Sequence, residues 1–186
     1  QGVTIAPVPS VPAGGPEPAW ESPWPAFANV SGELVFERTS MQFNRTRGSL
    51  GTLAFEEVSG RIRDLGVDPP TVEVEGVARG ALAEMLRVVR STAPLAEATA
   101  HQLDATTGTG NAELRLALAV PLGRSADTQF KASLALPGNE LRLKPDLPLL
   151  VNARGRVEAT HKGVVLNGLR AQLLGGDAVI DAASQA

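Results

Sequence analysis

The chain has 186 residues, a net charge of −3 and no cysteine. That length suffices for one domain with a real core plus a tail, and the missing cysteines exclude a disulfide scaffold and a thiolate metal site. Seventeen basic residues against twenty acidic ones, with no like-charge run, exclude the concentrated basic face that nucleic acid requires.

Residues 1–25 hold seven prolines and the pair Gly14-Gly15, a composition that favours extended backbone over strand pairing. They read as a tail or linker, and Trp20 and Trp24 at its end are expected to dock it onto the folded body. No stretch reaches the ~20 apolar residues of a membrane-spanning helix, and the start lacks the charged-then-apolar order of a signal peptide.

From Phe27 onward the period is two, with glycine-bearing turns between runs of four to nine residues. Leu34 and Phe36 share one face, as do Met41 with Phe43 and Leu53 with Phe55. Val58, Gly60 and Ile62 lie opposite Ser59, Arg61 and Arg63, and Val72 and Val74 alternate with the outward Glu73 and Glu75. Between Gly80 and Pro94 the period changes to about 3.6, with Leu82, Met85, Leu86 and Val89 at i, i+3, i+4 and i+7. This predicts one helix over 81–91, with a Glu84–Arg87 pair on its outer side.

Residues 95–103 are alanine-rich and without clean phase, and 106–110 read as a flexible turn. The two longest alternating runs follow, one carrying Leu114, Leu116 and Leu118, the other Phe130, Leu134 and Leu136. Pro137-Gly138-Asn139-Glu140 is expected to reverse the chain, pairing 130–136 with 141–143 as a hairpin. The last segment echoes the first. Aligning Pro25 with Pro148 also places Gly32 on Gly155, Leu34 on Val157, Met41 on Val164 and Phe43 on Leu166, a pattern that fits a repeat of 26–79 in 149–182.

These elements define a mainly β protein with one short helix, in which the strands offer far more apolar wall than one helix can cover. Either the sheet is a curved antiparallel groove, or it closes as a β-sandwich. Residues 26–186 form this unit.

Little in the chain suggests chemistry. His101 and His161 have no metal-spaced partner, Gly108-Thr109-Gly110 lacks the third glycine and lysine of a phosphate loop, and Glu73/Glu75 alternate with valines on a solvated face. No catalytic residue, metal site or cofactor is assigned, and the chain is not expected to be an enzyme.

The order of Trp24-Pro25-Ala26-Phe27, Gly32-x-Leu34-x-Phe36, Met41, Gly48, Gly51, the 80–87 helix, Gly108-Thr109-Gly110-Asn111 before Leu114-x-Leu116-x-Leu118, and Leu147-Pro148 before Gly155-x-Val157 resembles the YhdP branch of the AsmA-like proteins. The resemblance runs over about 24–181. Members are large Gram-negative envelope proteins, anchored in the inner membrane by an N-terminal helix and extending through the periplasm as a long β groove that is implicated in phospholipid transport towards the outer membrane. The resemblance implies that this chain is an internal periplasmic segment sheltering acyl chains, with the anchor elsewhere in the parent protein. The lipid-facing candidates are Leu34, Phe36, Phe55, Ile62, Val72, Val74, Leu114, Leu116, Leu118, Phe130, Leu134 and Leu136. Phospholipid is the expected partner, with edge-to-edge self-association as a second; the alternative function is a structural or protein-interaction β module.

Overall fold

A computed structural model describes residues 26–92, 103–124 and 127–183, together with the backbone of 3–5 and the single positions 95 and 99. The two tryptophans, His101 and most of the alanine-rich stretch lie outside the described residues.

Period-two patterning gives strands, and here the strands form one sheet rather than the two of a sandwich. In chain order they are β1 (Val3–Ile5), β2 (Phe27–Glu37), β3 (Ser40–Leu50), β4 (Leu53–Ile62), β5 (Thr71–Ala81), β6 (Thr107–Thr109), β7 (Asn111–Pro121), β8 (Gln129–Arg142), β9 (Leu150–Thr160), β10 (Gly163–Leu173) and β11 (Gly176–Ala183). The single helix, α1 (Leu82–Ser91), follows β5. Every pairing is antiparallel, and the order β1-β2-β3-β4-β5-β7-β8-β9-β10-β11 does not return on itself. The sheet is open.

Its curvature has a local cause. In the centre, β5 and β7 pair without interruption from Thr71↔Pro121 to Ala81↔Asn111. On both sides the register slips, at left-handed residues: Asn29, Arg45 and Glu57 in β2, β3 and β4, and Asn152 and Gly168 in β9 and β10. Each slip is a bulge, and bulged strands bend and twist more than regular ones. Bulged strands therefore flank a regularly paired middle.

The hairpins β2–β3 and β9–β10 are built alike. At the offset that aligns Pro25 with Pro148, Asn29 (φ 53°) matches Asn152 (φ 54°) and Arg45 (φ 51°) matches Gly168 (φ 60°). Gly32 lies against Thr46, where a Cβ would stand 2.5 Å from Oγ1; Gly155 lies against Leu169, where a Cβ would stand 3.2 Å from Cδ1.

Strand pairing corrects two sequence expectations. Pro137-Gly138-Asn139-Glu140 does not turn: β8 runs straight through it, as a bulge at Gly138 (φ 143°). The reason is that both edges of β8 have partners. β7 pairs its first half and β6 its second, while β9 pairs the other edge along nearly the whole length. The expected flexible turn at 106–110 is corrected for the same reason, since Thr107–Thr109 is the strand β6.

Strands β6 and β7 are one line of chain broken at Gly110 (φ 83°). Asn139, buried, bridges the break from β8: its Nδ2 donates to the carbonyls of Thr109 (2.7 Å) and Asn111 (3.1 Å). The Gly110 carbonyl accepts the Leu82 N–H at 2.9 Å. That bond satisfies the first free donor of α1, whose N-cap Ala81 has no side chain to do so. Helix α1 then buries Leu82, Met85 and Leu86 against Leu53, Ala112, Leu136, Leu141, Leu150 and Leu169. The expected Glu84–Arg87 pair forms on its outer side.

Candidate functional site: a two-rowed apolar face

All twelve candidate residues come to one face of the sheet, because cross-strand partners in direct register share a face. Leu34, Phe43, Gly60, Val74, Leu118 and Phe130 form an unbroken row across β2, β3, β4, β5, β7 and β8. Phe36, Met41, Ile62, Val72 and Val120 form a second row beside it. Phe55, Ala78, Leu114, Leu134, Val157 and Leu166 form a third, nearer α1.

The face is not uniformly covered. Phe55, Leu114 and Leu134 pack against the α1 core, and Leu136 belongs to it at 3% exposure. These four are roofed by protein. Leu34 and Phe36, in contrast, are 57% and 63% exposed, and Val72, Val74, Leu116, Leu118 and Phe130 are half-buried. Ile62 is buried outside the α1 cluster. The apolar face thus has a sealed end and an end that α1 does not reach.

Residues missed as candidates sit in the first two rows: Met41 and Phe43, half-buried, and Val120, which like Ile62 is buried. Phe43 does the work of a missing side chain, since a Cβ on Gly60 would meet its Cζ at 2.3 Å and the Glu73 carbonyl at 2.6 Å. The alternation Met41-Gln42-Phe43 carried this signal, diluted by the polar Asn44, Arg45, Thr46 and Arg47 that follow.

The opposite face carries the charges, in cross-strand pairs. Arg61 Nε reaches Glu73 Oε2 at 2.6 Å and Arg63 Nη2 reaches Glu73 Oε1 at 2.9 Å. Arg79 joins Glu56 and Glu113, Arg115 joins Glu113, and Ser59 donates to Glu75. Hydrogen bonds from Arg63, then Arg61, hold the Glu73 carboxyl below its ordinary 4.5. A carboxyl depressed in the folded state stabilises fully above its unfolded pKa, and that contribution disappears as pH falls through the folded one. Urea midpoints of the wild type and Glu73→Gln should therefore differ near neutrality and converge on acidification. A constant gap down to strongly acidic pH would refute this linkage.

Among the described residues no three of histidine, cysteine, aspartate or glutamate assemble as a metal site would need. His161 is exposed in the β9–β10 turn. No described helix is long and apolar enough to cross a membrane.

An open, curved, antiparallel sheet with one face apolar, the other charged, and a single helix over one end defines a β-groove protein. The family comparison makes this specific: the YhdP protein family matches residues 12–186, and the chain belongs to that family, a branch of the AsmA-like envelope proteins. No curated protein and no solved structure matches the chain.

Proposed function

We propose that this chain is a periplasmic segment of a YhdP-like, inner-membrane-anchored protein, and that it shelters phospholipid acyl chains on their way between the two membranes. The supporting observation is the pair of apolar rows beyond α1, where Leu34 and Phe36 are exposed, Val74, Leu118 and Phe130 are half-buried, and only Ile62 and Val120 are buried. Six strands at about 4.8 Å spacing make the longer row roughly 24 Å wide, comparable to a long fatty acyl chain. Each methylene removed from water there contributes about 0.8 kcal/mol, without directional bonds that would hold the chain in one place. Head groups stay in water at the rim. No side chain is given a catalytic role.

The covered end gives the test a built-in control. A photo-crosslinking amino acid placed at Leu116 or Phe130 in the full-length parent protein should form phospholipid adducts in cells, and one at Leu141, 5% exposed under the α1 cluster, should not. Absence of lipid adducts at both open positions, or equal labelling at all three, would overturn the proposal. Protein adducts alone at Leu116 and Phe130 would favour the interaction-module alternative.

A further inference from the structure

The charged face treats its arginines in two different ways. Arg61 on β4, Arg63 just past its end, Arg79 on β5 and Arg115 on β7 each have a glutamate partner across or along the sheet. On β9 and β10, Arg154 stands directly opposite Arg170, and Arg156 follows two residues along on the same face. Direct cross-strand partners have Cα atoms about 4.5–5.5 Å apart, and like charges so placed destabilise a sheet. None of the three has an ion-pair partner among the described residues, and all are exposed.

The neighbouring carboxylates form no ion pair with the cluster and stand around it. Asp181 Oδ1 is taken by the Gly168 N–H at 2.6 Å, and Asp177 accepts from Gln172. Glu158, two residues past Arg156 on the same face of β9, lies opposite Ser133 and Val165 and forms no ion pair with it. Arg154 is also held in place: its Nε donates to Asn152 Oδ1 at 3.0 Å, and its guanidinium lies over Gly138, where a Cβ would come within 3.6 Å of Nε.

The bulged hairpin itself does not require this arrangement. In β2–β3, the same place pairs Ser31 with Arg47, and Glu33 stands where β9 has Arg156. Two hairpins of one construction thus differ at this spot, one with mixed charge and one with three unpaired arginines. Around the three lie exposed valines on the same, otherwise polar face: Val179 directly opposite Arg170, Val151 opposite Gln172, and Val165 opposite Glu158.

We infer that the outer face of β9–β11 is a protein-docking surface whose partner offers a segment alternating carboxylates with small apolar side chains. Arginine is enriched in protein interfaces, and a guanidinium donates to a carboxylate in bidentate geometry. The arginines sit about 7 Å apart along β9, the spacing of alternate residues in an extended partner. Protein is favoured over an anionic membrane because Glu158, Asp177 and Asp181 ring the patch and would face a flat anionic surface.

The test uses the full chain, a fluorescein-labelled peptide of alternating glutamate and valine, the matching lysine–valine peptide, and phosphatidylglycerol vesicles. The glutamate peptide should bind at least ten-fold tighter than the lysine peptide, and more weakly as salt rises. Arg170→Glu should lower that affinity at least ten-fold while raising the melting temperature, because it replaces a facing like-charge pair by an opposite-charge one. Arg156→Gln should weaken binding on a fold unchanged by circular dichroism, and Arg47→Glu, at the corresponding place in β2–β3, should leave binding unchanged. Equal binding of both peptides, no effect of Arg170→Glu, an equal effect of Arg47→Glu, or Arg170-dependent binding of the vesicles instead of the peptide would each overturn the inference.

Discussion

Glutamate at Leu136 is expected to abolish the folded state, whereas glutamate at Phe36, on the same face, is expected to leave it standing. Leu136 is 3% exposed beneath α1, so the new carboxylate would be buried without a partner, a loss of several kcal/mol. That is a large share of the roughly 5–15 kcal/mol by which a domain is stable. Phe36 already has most of its surface in water, and a substitution there falls in the range of about 0.5 kcal/mol typical of exposed sites. Urea denaturation followed by circular dichroism measures both. If Phe36→Glu also unfolds the protein, the end of the sheet remote from α1 is sealed, and the acyl-chain proposal fails with it. If both variants fold, the helix-covered end is not a core.

Asn139→Leu is expected to cost roughly 2–4 kcal/mol, from two carbonyls losing a donor in a buried site. Leucine keeps the branching and heavy-atom count of asparagine but is bulkier, so an Asn139→Asp variant, nearly equal in volume and without the amide donor, separates the lost bonds from overpacking. What is lost is the bridge from β8 to Thr109 and Asn111 on either side of the Gly110 break. Hydrogen exchange should quicken first in β6 and at the start of β7, and at Leu82, whose N–H bonds to Gly110. A change in the urea midpoint equivalent to less than about 1 kcal/mol, with unchanged exchange, would show that the break holds without the asparagine. The same bridge shows why the proline–glycine signal at 137–138 misleads. Local turn chemistry predicts a reversal, but partners on both edges of β8 keep the chain extended, and glycine's freedom is used for a bulge.

The face assignment of Leu34, Val74, Leu118 and Phe130 was legible in sequence because period two is enforced by the strand itself: a neighbour cannot share a face. The helix was legible for a similar reason, since Leu82, Met85 and Leu86 at 3.6-residue spacing can bury together only on a helix. Bulges were not legible at Arg45 and Glu57, residues with no intrinsic taste for left-handed backbone; Asn29 and Asn152 gave a weaker hint.

Composition and periodicity by themselves determined that this is an amphipathic antiparallel β protein with one helix, and the order of its motifs pointed to the YhdP family. Tertiary structure alone decided which part of the apolar face is core and which is open, and that Arg154 faces Arg170 across two strands. Both depend on register and on where a ten-residue helix comes to rest. Those are long-range relations, set by bulges and by pairing between segments far apart in the chain, and no local pattern encodes them.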